Sequence, residues 1–153
     1  MVKVRAPSGL EDHVGFWLRF VSNHVSARFA RLVEARGVTV SEWVALRALF
    51  VDESPNTAAL MQRLGMTKGA VSKVLARLEE KGLVRRKTDK EDARAQVLEL
   101  TAAGRKLVPV LASLADENDA HFFATLSAAE RRRLVATMRR LVDAHHLEEV
   151  PTE

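Results

Sequence analysis

The chain has 153 residues, 47% of them hydrophobic, enough to bury a real core in one domain or two intimately packed ones, which excludes a disordered tail. No run approaches the ~18 apolar residues of a membrane span, and the N-terminal MVKVRAPSGLEDH lacks the apolar centre of a signal peptide. A soluble, cytoplasmic protein without membrane contact is therefore expected, and the absence of cysteine excludes disulfides, thiolate metal sites, cysteine catalysis and thiol redox sensing. The net charge of +4 is unevenly placed: between Gln62 and Arg94 ten basic residues face five acidic ones, whereas the rest of the chain carries fourteen against fifteen. Such a local positive footprint suits phosphate.

In chain order, Ser8 with Glu11 has capping-box spacing and Gly37 suits a C-terminal cap, which predicts one helix from about Gly9 to Arg36. At ~1.5 Å per residue it would be roughly 40 Å long. Leu10, Val14, Trp17, Leu18, Val21, Val25, Phe29 and Leu32 make one apolar face, and His13, Phe16, Phe20 and His24 make a second. A helix apolar on two sides is either a central core helix or one shared with a second subunit.

Thr39 and Glu42 repeat the capping box and open a helix through about Val51, with Val40, Trp43, Val44, Leu46 and Phe50 as inward candidates. Pro55 breaks the chain. Asn56 is a suitable N-cap for a short helix, Thr57 to Leu64, ended by Gly65, and Thr67 caps the next, Lys68 to Lys81, ended by Gly82. Two helices joined by a short Gly-containing turn have the spacing of a helix-turn-helix. LVRRK and AQVLEL then read as strands around the polar TDKEDAR, adding a wing.

Thr101 caps a helix running to the Asp116–Asp119 region with Leu107, Val108, Leu111 and Leu114 as its apolar set and Gly104 in its first turn. Ser127 and Glu130 cap the last helix, whose stripe is Leu134, Val135, Met138, Leu141 and Val142. The expected fold is thus mainly α: a winged helix-turn-helix over residues 39–100, with residues 1–38 and 101–153 forming a helical dimerisation region.

The N-terminal turns of the second helix of a helix-turn-helix approach base edges. Here they hold Thr67, Lys68, Gly69, Ala70, Ser72 and Lys73, with Arg77 one turn on, while Val71, Val74, Leu75 and Leu78 take the opposite face. Gly69 costs ~1 kcal/mol relative to alanine in a helix interior, less in a first turn, yet it lets the backbone approach another surface. The lysines and Ser72 suit phosphates or base acceptors. In the wing, Lys87, Lys90 and Arg94 project cations, with Asp92 placed either to orient Arg94 or to form the turn. Asn56, at the start of the first helix of the pair, completes the candidate DNA-binding set.

The stretch GMTKGAVSKVLARLEEKGLVRRKTDKEDARAQVLELT, with the long helix before it and two helices after it, resembles the MarR (multiple-antibiotic-resistance regulator) family over essentially the whole chain. The resemblance rests on the recognition helix, the KGLV exit, the Asp92-x-Arg94 wing and the LT start of the next helix. It implies a homodimer built from the terminal helices and a pseudo-palindromic operator on double-stranded DNA. It further implies a recognition helix in the major groove and Arg94 in the minor groove. Ala93 departs from the frequent Asp-Arg-Arg wing, which puts one of the wing contacts that the resemblance implies in doubt. The resemblance also implies a small aromatic or phenolic anion as effector, bound between the dimerisation and DNA-binding parts, with no cofactor required. Trp43 with Arg47, and His13 with Trp17, are four apart and are candidates to clamp such an anion, against the plainer reading of core tryptophans and a solvated arginine.

Some members of that family sense zinc, but His13, His24, His121, His145 and His146 are scattered without the compact spacing of a structural site, so no metal site is expected. No phosphate loop or nucleophile elbow is present, which argues against an enzyme. The competing class is a helical protein-interaction module whose winged helix lacks sequence-specific DNA binding.

Overall fold

A computed structural model describes residues 7–51, 57–88 and 96–147 of the chain. Helices α1 (Val14–Glu34), α2 (Val40–Val51), α3 (Thr57–Leu64) and α4 (Lys68–Glu80) lead into strands β1 (Val84–Thr88) and β2 (Gln96–Leu100), followed by α5 (Ala102–Phe123) and α6 (Ala128–His145). The strands form an antiparallel pair in the register Val84↔Leu100 to Thr88↔Gln96. The architecture is a mainly α winged helix-turn-helix extended by α1, α5 and α6.

Most helix ends form where local chemistry places them. The Thr67 hydroxyl accepts the Ala70 N–H at 3.3 Å, and the Ser127 hydroxyl accepts the Glu130 N–H while the Glu130 carboxylate accepts the Ser127 N–H, so each satisfies donors that the first helical turn leaves open. Gly37, Gly65 and Gly82 follow α1, α3 and α4 with positive φ, the conformation that closes a helix C-terminus.

Three expectations need correction. The first helix does not start at Gly9. Leu10–Asp12 form a 3-10 turn, the Asp12 carboxylate accepts the Gly9 N–H at 2.8 Å, and His13 is extended before α1 begins. Short polar side chains such as Asp12 compete for local backbone donors, and the Trp17 indole N–H, donating to the Glu11 carbonyl at 2.9 Å, holds the turn down.

The inward face of α2 is Glu42, Ala45, Leu46, Ala48 and Leu49, with Trp43 and Val44 half-buried and Val40 and Phe50 exposed. A helix that is apolar nearly all round carries no periodicity that selects a face, and the two alanines allow close packing. Helix α5 passes through the acidic Asp116–Asp119 run to Phe123, because Asn118 turns inward there. Its amide donates to the Val25 carbonyl and accepts from Arg28, each at 3.1 Å.

The main core joins Val33 and Val38 to Ala45, Leu46 and Leu49 of α2, Val74 and Leu78 of α4, the strand residues Val84 and Leu100, and Val108 and Leu111 of α5. A second cluster of Ala48, Leu60, Val71 and Leu75 seats α3 against α4. Helix α6 buries no residue, and α1 buries only Val33. Among the described residues no helix is long and apolar enough to cross a membrane.

Candidate nucleic-acid interface

Helix α4 is fixed from below. Val71, Val74, Leu75 and Leu78 are buried, which leaves Lys68, Gly69, Ser72, Lys73 and Arg77 on the outward side with Ala70 at the boundary. A Cβ added to Gly69 would meet nothing within 4 Å, and its φ is not positive, so neither packing nor backbone geometry within the chain demands glycine there. Lys68, Lys73 and Arg77 make no ion pair among the described residues. Solvated cations on the outward face, beside a helix N-terminus whose Ala70 N–H is taken by Thr67, form a surface suited to phosphate and base edges.

The wing's cations are organised differently. Arg85 donates to Glu99 at 2.6 Å and Lys87 lies 3.6 Å from the same carboxylate, while Arg86 donates to Glu79 of α4 at 2.7 Å. The hydrogen bond from Arg85 is the main reason the Glu99 carboxyl sits below its ordinary value, opposed by partial desolvation and aided by the charges of Arg85 and Lys87. Arg85 and Lys87 alternate on the face of the hairpin away from the core, so Glu99 both aims and partly neutralises them. Asn56, Lys90, Ala93 and Arg94 lie outside the described residues.

The four candidate ligand residues do not share one cavity. Trp43 packs edge-on against Phe29 and lines a cavity of about 260 Å3 with Val25, Ser26, Ala115, Asn118 and Asp119. Trp17 lines a separate, more apolar cavity of about 490 Å3 between α1 and α6, with Val21, Phe123, Leu134 and Met138 among its walls. Arg47 lies exposed, 6.0 Å from the Phe50 ring centre, and His13 is the exposed residue before α1. Among the described residues no three His, Asp or Glu side chains gather as a metal site would require.

Long-range polar contacts that sequence reasoning missed surround these features. Arg28 bridges from α1 to Asn118 and Glu117 on α5 at 3.1 and 2.8 Å. Glu42 not only caps α2 but receives Lys81 across 39 residues of sequence. Only the Glu42 cap had a local signature.

A sequence model of the MarR family matches residues 36–95. The transcriptional regulator HosA of Escherichia coli O157:H7 is 31% identical over 110 residues, covering 72% of this chain and 82% of HosA. Among solved structures, Bordetella bronchiseptica BpsR, described with the mechanism for regulation of its DNA binding by 6-hydroxynicotinic acid, is similar at a TM-score of 0.76 and 25% identity, over 90% of this chain and 99% of that one. A MarR family protein of Mycobacterium tuberculosis in complex with p-aminosalicylic acid is similar at a TM-score of 0.69 and 26% identity, over 84% and 98% of the two chains. These relatives are transcriptional regulators, not enzymes, and with the helix-turn-helix and the paired strands of the hairpin in place the chain belongs to the MarR family of DNA-binding transcriptional regulators.

Proposed function

We propose that the protein is a ligand-responsive repressor that reads a pseudo-palindromic operator as a homodimer, with α4 as the recognition helix and α1, α5 and α6 as the dimerisation region. The observation that carries this reading is the outward face of α4, where Lys68, Ser72, Lys73 and Arg77 stand solvated beside a glycine that the fold itself does not need. Thr67 and Ala70 flank that surface and Lys87 extends it onto the hairpin, while by their sequence positions Lys90 and Arg94 are assigned to the same DNA-binding set, as is Asn56 for a backbone-positioning contact to phosphate.

The effector of this reading is a small aromatic or phenolic acid in the Trp43 cavity. That cavity offers the Trp43 and Phe29 rings for stacking and Ser26 and Asn118 as hydrogen-bonding groups, with the Asp119 carboxylate also on its wall, and two relatives are described with aromatic acids. It lies where α1, α2 and α5 meet, so its occupant would touch both the dimerisation helices and the scaffold of the reader.

The test is selection of bound fragments from a genomic pool, followed by titration of the selected site and a scrambled duplex at several salt concentrations. Affinity should fall steeply with salt on both duplexes while preference for an inverted repeat persists, because phosphate contacts release counterions and base contacts set the site. An aromatic acid that occupies the Trp43 cavity should release the selected site. Loss of preference at every salt concentration would sink the regulator reading and favour the protein-interaction module.

Gly69→Ala separates the fold from the interface. With open space around the new methyl group, thermal stability should hold or rise by up to ~1 kcal/mol, while affinity for the selected site should fall several-fold because the backbone is held off the groove. Unchanged DNA affinity in the folded variant would remove Gly69 from the interface.

A further inference from the structure

The C-terminal end of α4 is gripped from two sides. On one side Leu83, the first residue after the positive-φ Gly82, accepts the Thr101 N–H at 3.0 Å, and the Thr101 hydroxyl donates to the Gly82 carbonyl at 2.6 Å. That side ties α4 to the start of α5. On the other side the Lys81 ammonium donates to both oxygens of Glu42, at 2.8 and 2.7 Å.

Glu42 is only 1% exposed, and its carboxylate also accepts the Thr39 N–H at 2.8 Å. Lys81 therefore directs its charge into the protein, toward the first turn of α2, although its stem lies at the surface. The next residue on α2 is Trp43, which lines the cavity shared with α1 and α5. One ion pair thus joins the reading helix to the element that borders the cavity.

We propose that Glu42 and Lys81 are positioning residues for operator recognition: their ion pair sets the tilt of α4 on α2 and so places Lys68, Gly69, Ser72 and Lys73 against the base edges. The inference rests on the reading of α4 as the recognition helix. Helix α4 has 13 residues, about 20 Å at 1.5 Å per residue, so a tilt of about 5° at the gripped end moves its N-terminal turn by about 1.7 Å. Base-edge hydrogen bonds do not survive displacements of that size, whereas phosphate contacts made by long lysine and arginine side chains adapt. The pair therefore acts on the distinction between the right and the wrong sequence more than on attraction to DNA in general.

The sign of the effect separates positioning from plain electrostatics. Glu42→Gln removes a negative charge and releases a lysine, so electrostatics alone would tighten binding to every duplex. It also keeps the cap, since glutamine serves in a capping box as glutamate does. Positioning instead requires weaker operator binding with scrambled-duplex binding unchanged or tighter.

The full-length dimer is titrated with its selected operator and with a scrambled duplex of equal length, for wild type, Glu42→Gln, Lys81→Met and the double variant. Glu42→Gln should lower the operator-to-scrambled affinity ratio about tenfold, Lys81→Met should match it, and the double variant should be no worse than either, because all three remove one contact. Lys81→Met leaves a buried carboxylate unpaired and is the variant more prone to misfold; the conclusion therefore stands on Glu42→Gln. A ratio that stays at the wild-type value overturns the proposal, whether both affinities rise together, as electrostatics would have it, or fall together, as a smaller folded fraction would. A wild-type protein with no preference between the duplexes would instead overturn the recognition-helix reading and the proposal with it.

Discussion

Replacing Gly104 by alanine should destabilise the fold by about 3 kcal/mol or more, a fall in Tm of roughly 10 °C for a chain of this size. Gly104 is buried in the first turn of α5, and a Cβ there would sit far inside contact distance of the Leu83 carbonyl oxygen, 3.1 Å from the Leu83 carbonyl carbon and 3.2 Å from Leu100 Cδ2. The obstacle is backbone, so no rotamer change relieves it. That same Leu83 oxygen accepts the Thr101 N–H, so moving it away breaks the hydrogen bond that joins the exit of α4 to the entry of α5. The measurement is thermal or denaturant unfolding of Gly104→Ala beside wild type. A variant as stable as wild type would show that α5 does not pack on the α4 exit as described.

The two first-turn glycines show where sequence reasoning reaches its limit. Gly69 and Gly104 both occupy the opening turn of a threonine-capped helix, two and three residues after the cap, and their local sequence does not say what each one faces. Only the packing does: one faces open space and the other a carbonyl group. What local chemistry controls was legible, including the Thr67, Thr101 and Ser127 caps, the glycine-ended helices and the buried stripe of α4. The partners of Glu42, Asn118 and Glu99 were not, because each contact is made across elements and depends on how they pack. The face of α2 differs from expectation because Ala45 and Ala48, rather than the larger Val40 and Phe50, let it pack closely.

The site was legible to the same degree. The outward residues of α4 follow directly from its periodicity, but the pairing of Trp43 with Arg47 did not form, since Arg47 turns toward Phe50. Spacing of four on a helix permits two side chains to meet and does not require it. Trp17 and Trp43 fall into different cavities because the 25 residues between them include the turn from α1 into α2.

Met138→Asp should convert a dimer of twice the 17.0 kDa chain into monomers at micromolar concentration and weaken operator binding at least 100-fold. In the single chain α6 buries nothing, yet Leu134, Val135, Met138, Leu141 and Val142 line it, and Trp17, Leu18 and Val21 stand similarly bare on α1. An 18-residue helix with an unburied apolar stripe has little stability of its own in water, and exposed apolar surface that is contiguous marks an interface. Leu134 and Met138 also border the gap of about 490 Å3 that α1 and α6 leave between them, a space that protein packing densities would fill with side chains of a second copy. An aspartate there loses the burial of a methionine, about 2 kcal/mol, and adds the cost of an unpaired charge, together enough for a dissociation constant at least 100 times higher. Because Met138 lies outside both core clusters, the winged helix should remain folded, with helical content near that of wild type by circular dichroism. Weaker operator binding then follows from geometry alone, since a second reader held at fixed spacing binds at high effective concentration and a free monomer forfeits that gain. Sedimentation or light scattering decides the matter: a wild-type monomer would overturn the homodimer, and a Met138→Asp variant that stays dimeric would place the twin's contact elsewhere on the chain.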